Sequence, residues 1–140
     1  MPETMKALSL LQPWASAIMV GLKTYETRSW YTLYQGRIAI HASKGFPMEN
    51  RLFAAELSTQ GYRLPDALPL GAVLGTARLV NVQRVEDVEP FIGRVERLFG
   101  DYSGGRFAWL LEDIEIFEEP IPARGRLGLW EWDAPEVSHA

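Results

Sequence analysis

Apolar and polar residues along this chain change period several times, and each change marks an element. "MKALSL" (residues 5–10) reads as a strand. Pro13 then suits a first helical position, and "WASAIMV" continues a helix that Gly21 is placed to end. Trp14, Ala17, Ile18 and Gly21 share one face of it. "TYETRSW" (residues 24–30) returns to period two, with Glu26, Arg28 and Trp30 on one face and Tyr25, Thr27 and Ser29 on the other. After the turn "YQG" comes the strand "RIAIHAS" (residues 37–43), where Ile38, Ile40 and Ala42 oppose Arg37, Ala39, His41 and Ser43.

Pro47 opens a second helix to about Gln60, with Met48, Leu52, Phe53 and Leu57 as its apolar stripe. "RLPDALPLG" is a loop by its prolines and glycine. "GAVLGTARLVNV" (residues 71–82) alternates weakly, as a strand covered on both faces does. Val88, Phe91, Ile92, Val95, Leu98 and Phe99 have helical spacing, which predicts one helix across them. "GDYSGG" is a loop, "RFAWLLEDIEIF" (residues 106–117) a long strand broken by "EPIPARG", and "RLGLWEWD" a final strand.

About six strands and two to three helices, without regular interleaving, predict an α+β class rather than a doubly wound parallel sheet. The expected architecture is a small, mostly antiparallel β-barrel with helices plugging its ends or flank. At 140 residues a single domain is expected, with its core over about 5–133 and a flexible tail over 134–140. No internal repeat is visible.

Composition narrows the function. The 47% hydrophobic content supports a real core. There are no cysteines, which removes disulfides, thiolate metal sites and cysteine nucleophiles, and fits a reducing cytoplasm. "MPETMKALSLLQPW" lacks a signal-peptide pattern, and no apolar run approaches the roughly 20 residues that span a bilayer. A cytoplasmic protein without a membrane partner is expected. The net charge of −4 argues against indiscriminate nucleic-acid binding, but the charge is uneven: residues 1–60 carry six basic and four acidic side chains, and residues 61–140 eight and fourteen. Local field governs ligand approach.

There is no phosphate loop, no G-x-G-x-x-G and no G-x-S-x-G. His41 and His139 are the only histidines, so a histidine-rich metal site is excluded, and no metal or cofactor is expected. What remains is the stretch around Lys23, Glu26 and Arg28, three charges within six residues at a helix–strand junction. Charge alone leaves two readings open, a solvated charged turn and a polar cluster lining a cleft. In the second, Lys23 is a cation or, if desolvated, a base, and Glu26 an acceptor or proton carrier. Trp14 and Trp30 flank these charges, as a stacking platform beside phosphate-binding cations does for single-stranded nucleic acid, with Ser29 between. His41 is a conceivable acid. Lys44 follows its strand, and the "GDYSGGRFAW" loop offers Asp101, Tyr102, Ser103 and Arg106. Arg124 and Arg126 in "ARGR" add further cations.

The run "LSLLQPWASAIMVGLKTYETRSWYT", then "GRIAIHAS", "GAVLGTARLVNV" and "ARGRLGLWEW", resembles an activating-signal-cointegrator homology (ASCH) domain. The resemblance covers residues 5–133, and residues 48–70 and 86–101 carry no motif of it. It implies a pseudouridine-synthase-and-archaeosine-transglycosylase (PUA)-like barrel. It also implies binding of RNA or other nucleic acid in a cleft beside the first helix, lined by Gln12, Trp14, Lys23, Glu26 and Arg28. Bacterial members of the wider family include an amidohydrolase acting on acetylated cytidine and proteins described as ribonucleases. In the amidohydrolase branch a catalytic threonine follows the lysine by three residues; here that position is Glu26, so only Lys23 carries over. The form "QPWAS…ExRSWYT" is closer to the eukaryotic coactivator domain, where binding is the expected role. The expectation is therefore a nucleic-acid-binding module, RNA foremost, with Arg28, Lys23 and Arg124 on phosphate, Trp14 or Trp30 on a base and Gln12 on a base edge. The alternative is a hydrolase of a modified nucleoside or of RNA, using Lys23 and Glu26. The ligand is then single-stranded nucleic acid or a nucleoside-like small molecule.

Overall fold

The computed structural model describes residues 3–135. In chain order these form β1 (Glu3–Leu10), α1 (Trp14–Met19), β2 (Tyr25–Arg28), β3 (Gly36–Ala42) and α2 (Met48–Thr59). Then come β4 (Ala72–Arg84), α3 (Val85–Val88), a 3-10 turn (Glu89–Phe91), α4 (Arg94–Leu98), β5 (Phe107–Pro122) and β6 (Leu129–Ala134). The expected tail reaches residues 136–140, which lie outside the described residues together with His139; Ala134 closes β6.

The strands make one six-stranded sheet in the order β2-β5-β4-β3-β1-β6. The expected α+β class and mostly antiparallel pairing hold, but the sheet does not close into a barrel. β1 and β3 run parallel, and the edge strands β2 and β6 are not paired to each other. The parallel pair is possible because α1 and β2 lie between β1 and β3 in the chain and carry it back to the same end of the sheet.

Alternation along the strands sorts side chains onto two faces. Leu8, Leu10, Ile38, Ile40, Leu79 and Trp109 join α1 in the main core, while Ala7, Ala39, Val73, Trp130 and Trp132 pack on the other face. The short α1 is held from both sides: Ala15, Ile18 and Met19 are buried in the main core, and Ala17 packs with Leu57 and Phe99. Val20 ends it, and Gly21 takes a φ of 84° that L side chains avoid.

The sheet is bent by interruptions in its ladders. Register shifts fall between Ile40 and His41 in β3, and at three places along β4 and β5. Gly75 sits at one of these. A Cβ there would lie 2.2 Å from the Glu115 carbonyl and 2.9 Å from Met19 Sδ, so only glycine lets β5 and α1 approach so closely. Asp113, in the next interruption of the ladder, has φ 52°, and its carbonyl and carboxylate accept from Arg37. These bulges carry β5 through the "EPIP" that was expected to break it. Ile121 and Pro122 still pair with Val73 and Ala72.

Two helical expectations change. The predicted helix over residues 88–99 is three short pieces, because Pro90 cannot continue a helical ladder and Gly93 stands before α4 in an extended conformation. Phe91, placed on its apolar face by the pattern, is 87% exposed. In α2, Phe53 and Leu57 of the expected stripe meet the body together with Asn50, but Met48 and Leu52 are exposed. The spacing was helical in both cases, but spacing does not say which face meets a neighbour.

Candidate functional site

The bent sheet brings β2 opposite the end of β1 without joining it. The gap is crossed by one side chain: Arg28 Nη2 donates to the Ser9 carbonyl at 2.6 Å. A cleft of about 500 Å³ occupies this gap, with Ser9 and Leu10 on one wall, Glu26 to Arg28 on the other, and Trp14 and Phe53 at its side. Trp14 stacks on Phe53 with ring centroids 5.8 Å apart, so the cleft has an aromatic wall contributed by α1 and α2.

At its base Lys23 is 2% exposed. Its ammonium donates to the Phe99 carbonyl at 2.6 Å and lies 3.4 Å from Glu26 Oε1. Glu26 Oε2 is 2.9 Å from Arg28 Nε. That Nε–H does not point along the contact, and among the described residues it has no hydrogen-bond partner. A buried cation needs an opposite charge and acceptors to be tolerated, and Glu26 and Phe99 supply them. The order Lys23–Glu26–Arg28 is thus an ion-paired row, with both ends of the carboxylate engaged. Both partners of Lys23 are acceptors, so it stands there as a donor, the cation of the two roles the sequence left open.

The rim comes from the loop after α4. Asp101 lies 3.5 Å from Arg106, and the Ser103 hydroxyl and backbone N–H hold its carboxyl below the ordinary carboxylate value. Arg106 also donates to the Thr27 carbonyl at 3.0 Å, tying loop to β2. Glu96 of α4 accepts from the backbone N–H groups of Thr24 and Tyr25, which caps the start of β2. Tyr102 of this loop is half-buried, and among the described residues its hydroxyl has no hydrogen-bond partner. Burial, then the charges of Glu96, Tyr25 and Glu26, raise its pKa far above that of a free phenol.

A second, larger groove of about 840 Å³ shares Ser9, Arg28 and Ser43 with the first. Lys44, Arg124 and Arg126 line it, all exposed, and among the described residues no ion pair joins them to an acid. Its floor is a fixed hydrogen-bond chain. His41 Nε2 lies 2.8 Å from the Ala123 carbonyl, which can only accept, so that nitrogen carries the proton in the neutral ring. Trp130 donates to Ser9 Oγ at 3.0 Å, and Ser9 Oγ lies 2.9 Å from His41 Nδ1. Gly125 closes over this chain. A Cβ on it would stand 2.6 Å from His41 Cε1 and 2.8 Å from Ser9 Oγ.

Of the sequence candidates, Trp14, Lys23, Glu26 and Arg28 meet in the first cleft and Arg124 in the second. Gln12 does not reach either. It is fully buried, its amide nitrogen donating to Ser16 Oγ and the Pro69 carbonyl and its amide oxygen accepting from Ser16 N–H, so it clamps the start of α1 rather than reading a base. Trp30 packs edge-on against Trp109, centroids 4.7 Å apart, and belongs to the core rather than to a stacking platform. Ser29 is exposed and lines neither cleft. His41 is 1% exposed with both ring nitrogens engaged, which suits an anchor and not a free acid. Pattern reasoning missed the Phe99 carbonyl, which no residue type announces, and Ser9. The latter had a signal, a lone polar position between Leu8 and Leu10. Among the described residues no group of His, Asp or Glu is placed to hold a metal, and no helix is long and apolar enough to cross a membrane.

The site defines a class: an α+β domain whose sheet stays open around a charged cleft. The ASCH domain model matches residues 8–121, and the chain belongs to that family; its fold is consistent with the PUA-like superfamily. It is 28% identical over 132 residues to activating signal cointegrator 1 of Homo sapiens and 25% identical to the Mus musculus protein of that name. Each match covers 91% of this chain and 22% of the relative, so the chain spans about a fifth of their length. Among solved structures it is similar to ASCH from Zymomonas mobilis, with 23% identity, a TM-score of 0.47, and coverage of 84% of this chain and 72% of that one.

Proposed function

We propose that this domain binds single-stranded nucleic acid, RNA foremost, with a base in the deep cleft and its phosphates along the cationic groove. The observation that carries this reading is the junction of the two clefts at Ser9, Arg28 and Ser43. An aromatic wall and a charged row lie on one side of it, and on the other three cations without an ion pair among the described residues. Arg28 stands at the boundary, where it can reach the sugar-phosphate while Trp14 faces the base. Direct contacts to phosphate release counterions, so affinity must fall with salt. A short fluorescent RNA titrated at about 50 and 200 mM salt tests this, with the DNA of the same sequence in parallel. Binding that ignores salt, or no binding of either strand, overturns the reading.

A hydrolase of a modified nucleoside draws on a different feature of the same place, Lys23 buried and 3.4 Å from Glu26 at the base of the cleft. The acceptors around Lys23 favour it as a cation and Glu26 as an acceptor, both among the roles the sequence left open. Glu26 is then the proton acceptor for water, and Lys23 the donor to the developing oxyanion. Mass spectrometry of acetylated cytidine incubated with the protein decides it. Cytidine released by the parent and not by Lys23→Ala supports the hydrolase; no release removes it.

A further inference from the structure

Leu127 is 98% exposed at the tip of the loop that joins β5 to β6. An isolated exposed leucine is ordinary; this one stands on a loop that is pinned. Ala123 at its start donates its N–H to the Gly71 carbonyl at 3.0 Å and its carbonyl accepts from His41 at 2.8 Å. Gly125 lies against His41 and Ser9 with no space for a side chain. At its far end Leu129 enters the ladder opposite Leu8, and Gly128 makes the turn with φ 68°. Arg124 and Arg126 precede the leucine in sequence, and Lys44 and Leu127 line the same groove. An exposed apolar side chain on an anchored loop, beside cations with no ion pair among the described residues, is charge-matched to one kind of occupant, an anionic strand that also presents flat apolar faces.

Resting on the binding reading above, we propose that Leu127 packs against the nucleobase next to the one held in the deep cleft, so that the unit recognised is longer than one nucleotide. The phosphate joining the two nucleotides lies in the groove against Arg124 and Arg126. Leu127 then acts as the apolar wedges of other nucleic-acid binders do, covering one face of a base and opening the step beside it. Because the loop is anchored before the ligand arrives, little ordering is lost on contact.

The test compares a nucleoside 5′-monophosphate with a trinucleotide of RNA by calorimetry or fluorescence, for the parent chain and Leu127→Ala. The expected result is unchanged affinity for the monophosphate and a loss of about five- to tenfold for the trinucleotide, the size expected when much of a leucine's burial is removed. Leu127→Trp is expected to restore or exceed the parent's trinucleotide affinity, with its own emission quenched on binding. Equal effects of Leu127→Ala on both ligands, or on neither, overturn the proposal. If the parent binds both ligands with the same affinity, the wedge falls while the binding reading stands; if it binds neither, both fall. Leu127 has no packing to lose, so the variant folds.

Discussion

In the deep cleft every charge has an opposite within reach; in the groove beside it the three cations Lys44, Arg124 and Arg126 have none among the described residues. The two share a border at Arg28, yet they ask different things of the fold. Lys23 lies under the body of the domain, where an unpaired charge is not tolerated, so the fold itself must supply Glu26 and the Phe99 carbonyl. The groove is wet, and its cations can wait for a ligand at little cost. Variants in the first region should therefore register mainly in stability, and variants in the second mainly in binding.

Glu26→Ala is the largest break. It leaves the Lys23 ammonium buried without its anion, and a loss of about 3 kcal/mol in urea unfolding is expected. A loss below about 1 kcal/mol would mean that the pair is solvated and that the contrast between the clefts is false. Gly125→Ala comes next, because its Cβ would meet His41 and Ser9 inside the floor of the groove. The loop must lift, at about 1–3 kcal/mol, and RNA affinity should fall with it. Unaltered binding would show that loop position does not matter to the groove.

Arg124→Ala and Arg126→Ala should each leave unfolding within about 0.5 kcal/mol of the parent while reducing the salt slope of RNA binding by about one. A change in stability with no change in slope would reverse the assignment. The smallest effect concerns the wall behind the deep cleft. Tyr102 has its pKa raised above the ordinary 10.0, chiefly by burial. Its neutral hydroxyl therefore supports folding below that pH, and the support is lost as pH rises past it. Tyr102→Phe removes this alkaline loss and, since the hydroxyl has no partner, changes neutral stability by no more than about 1 kcal/mol. Unfolding curves at neutral pH and at about pH 11 compare the two chains.

The chain's own pattern settled more of the elements than of their arrangement. "MKALSL" and "RIAIHAS" read as strands and are strands, and Ile38, Ile40 and Ala42, which alternation puts on one face, are in the main core. The short spacing of Lys23, Glu26 and Arg28 placed two of them on one strand face, and they do form one ion-paired row. Local rules reach this far because the partners lie within a few residues. They do not reach the partner that is far away in sequence. The bulges at Gly75 and Asp113 are each created by two strands together. Gln12 and Trp30 carry the same residue types whether they face a ligand or a neighbour. Only the positions of Ser16, Pro69 and Trp109 make them structural. The carbonyl of Phe99 has no side-chain signature at all, yet it receives the buried ammonium from 76 residues away. Sequence determined which charges and rings this domain carries. The curl of the sheet decided which of them face a ligand, because burial is a property of the neighbours and not of the residue.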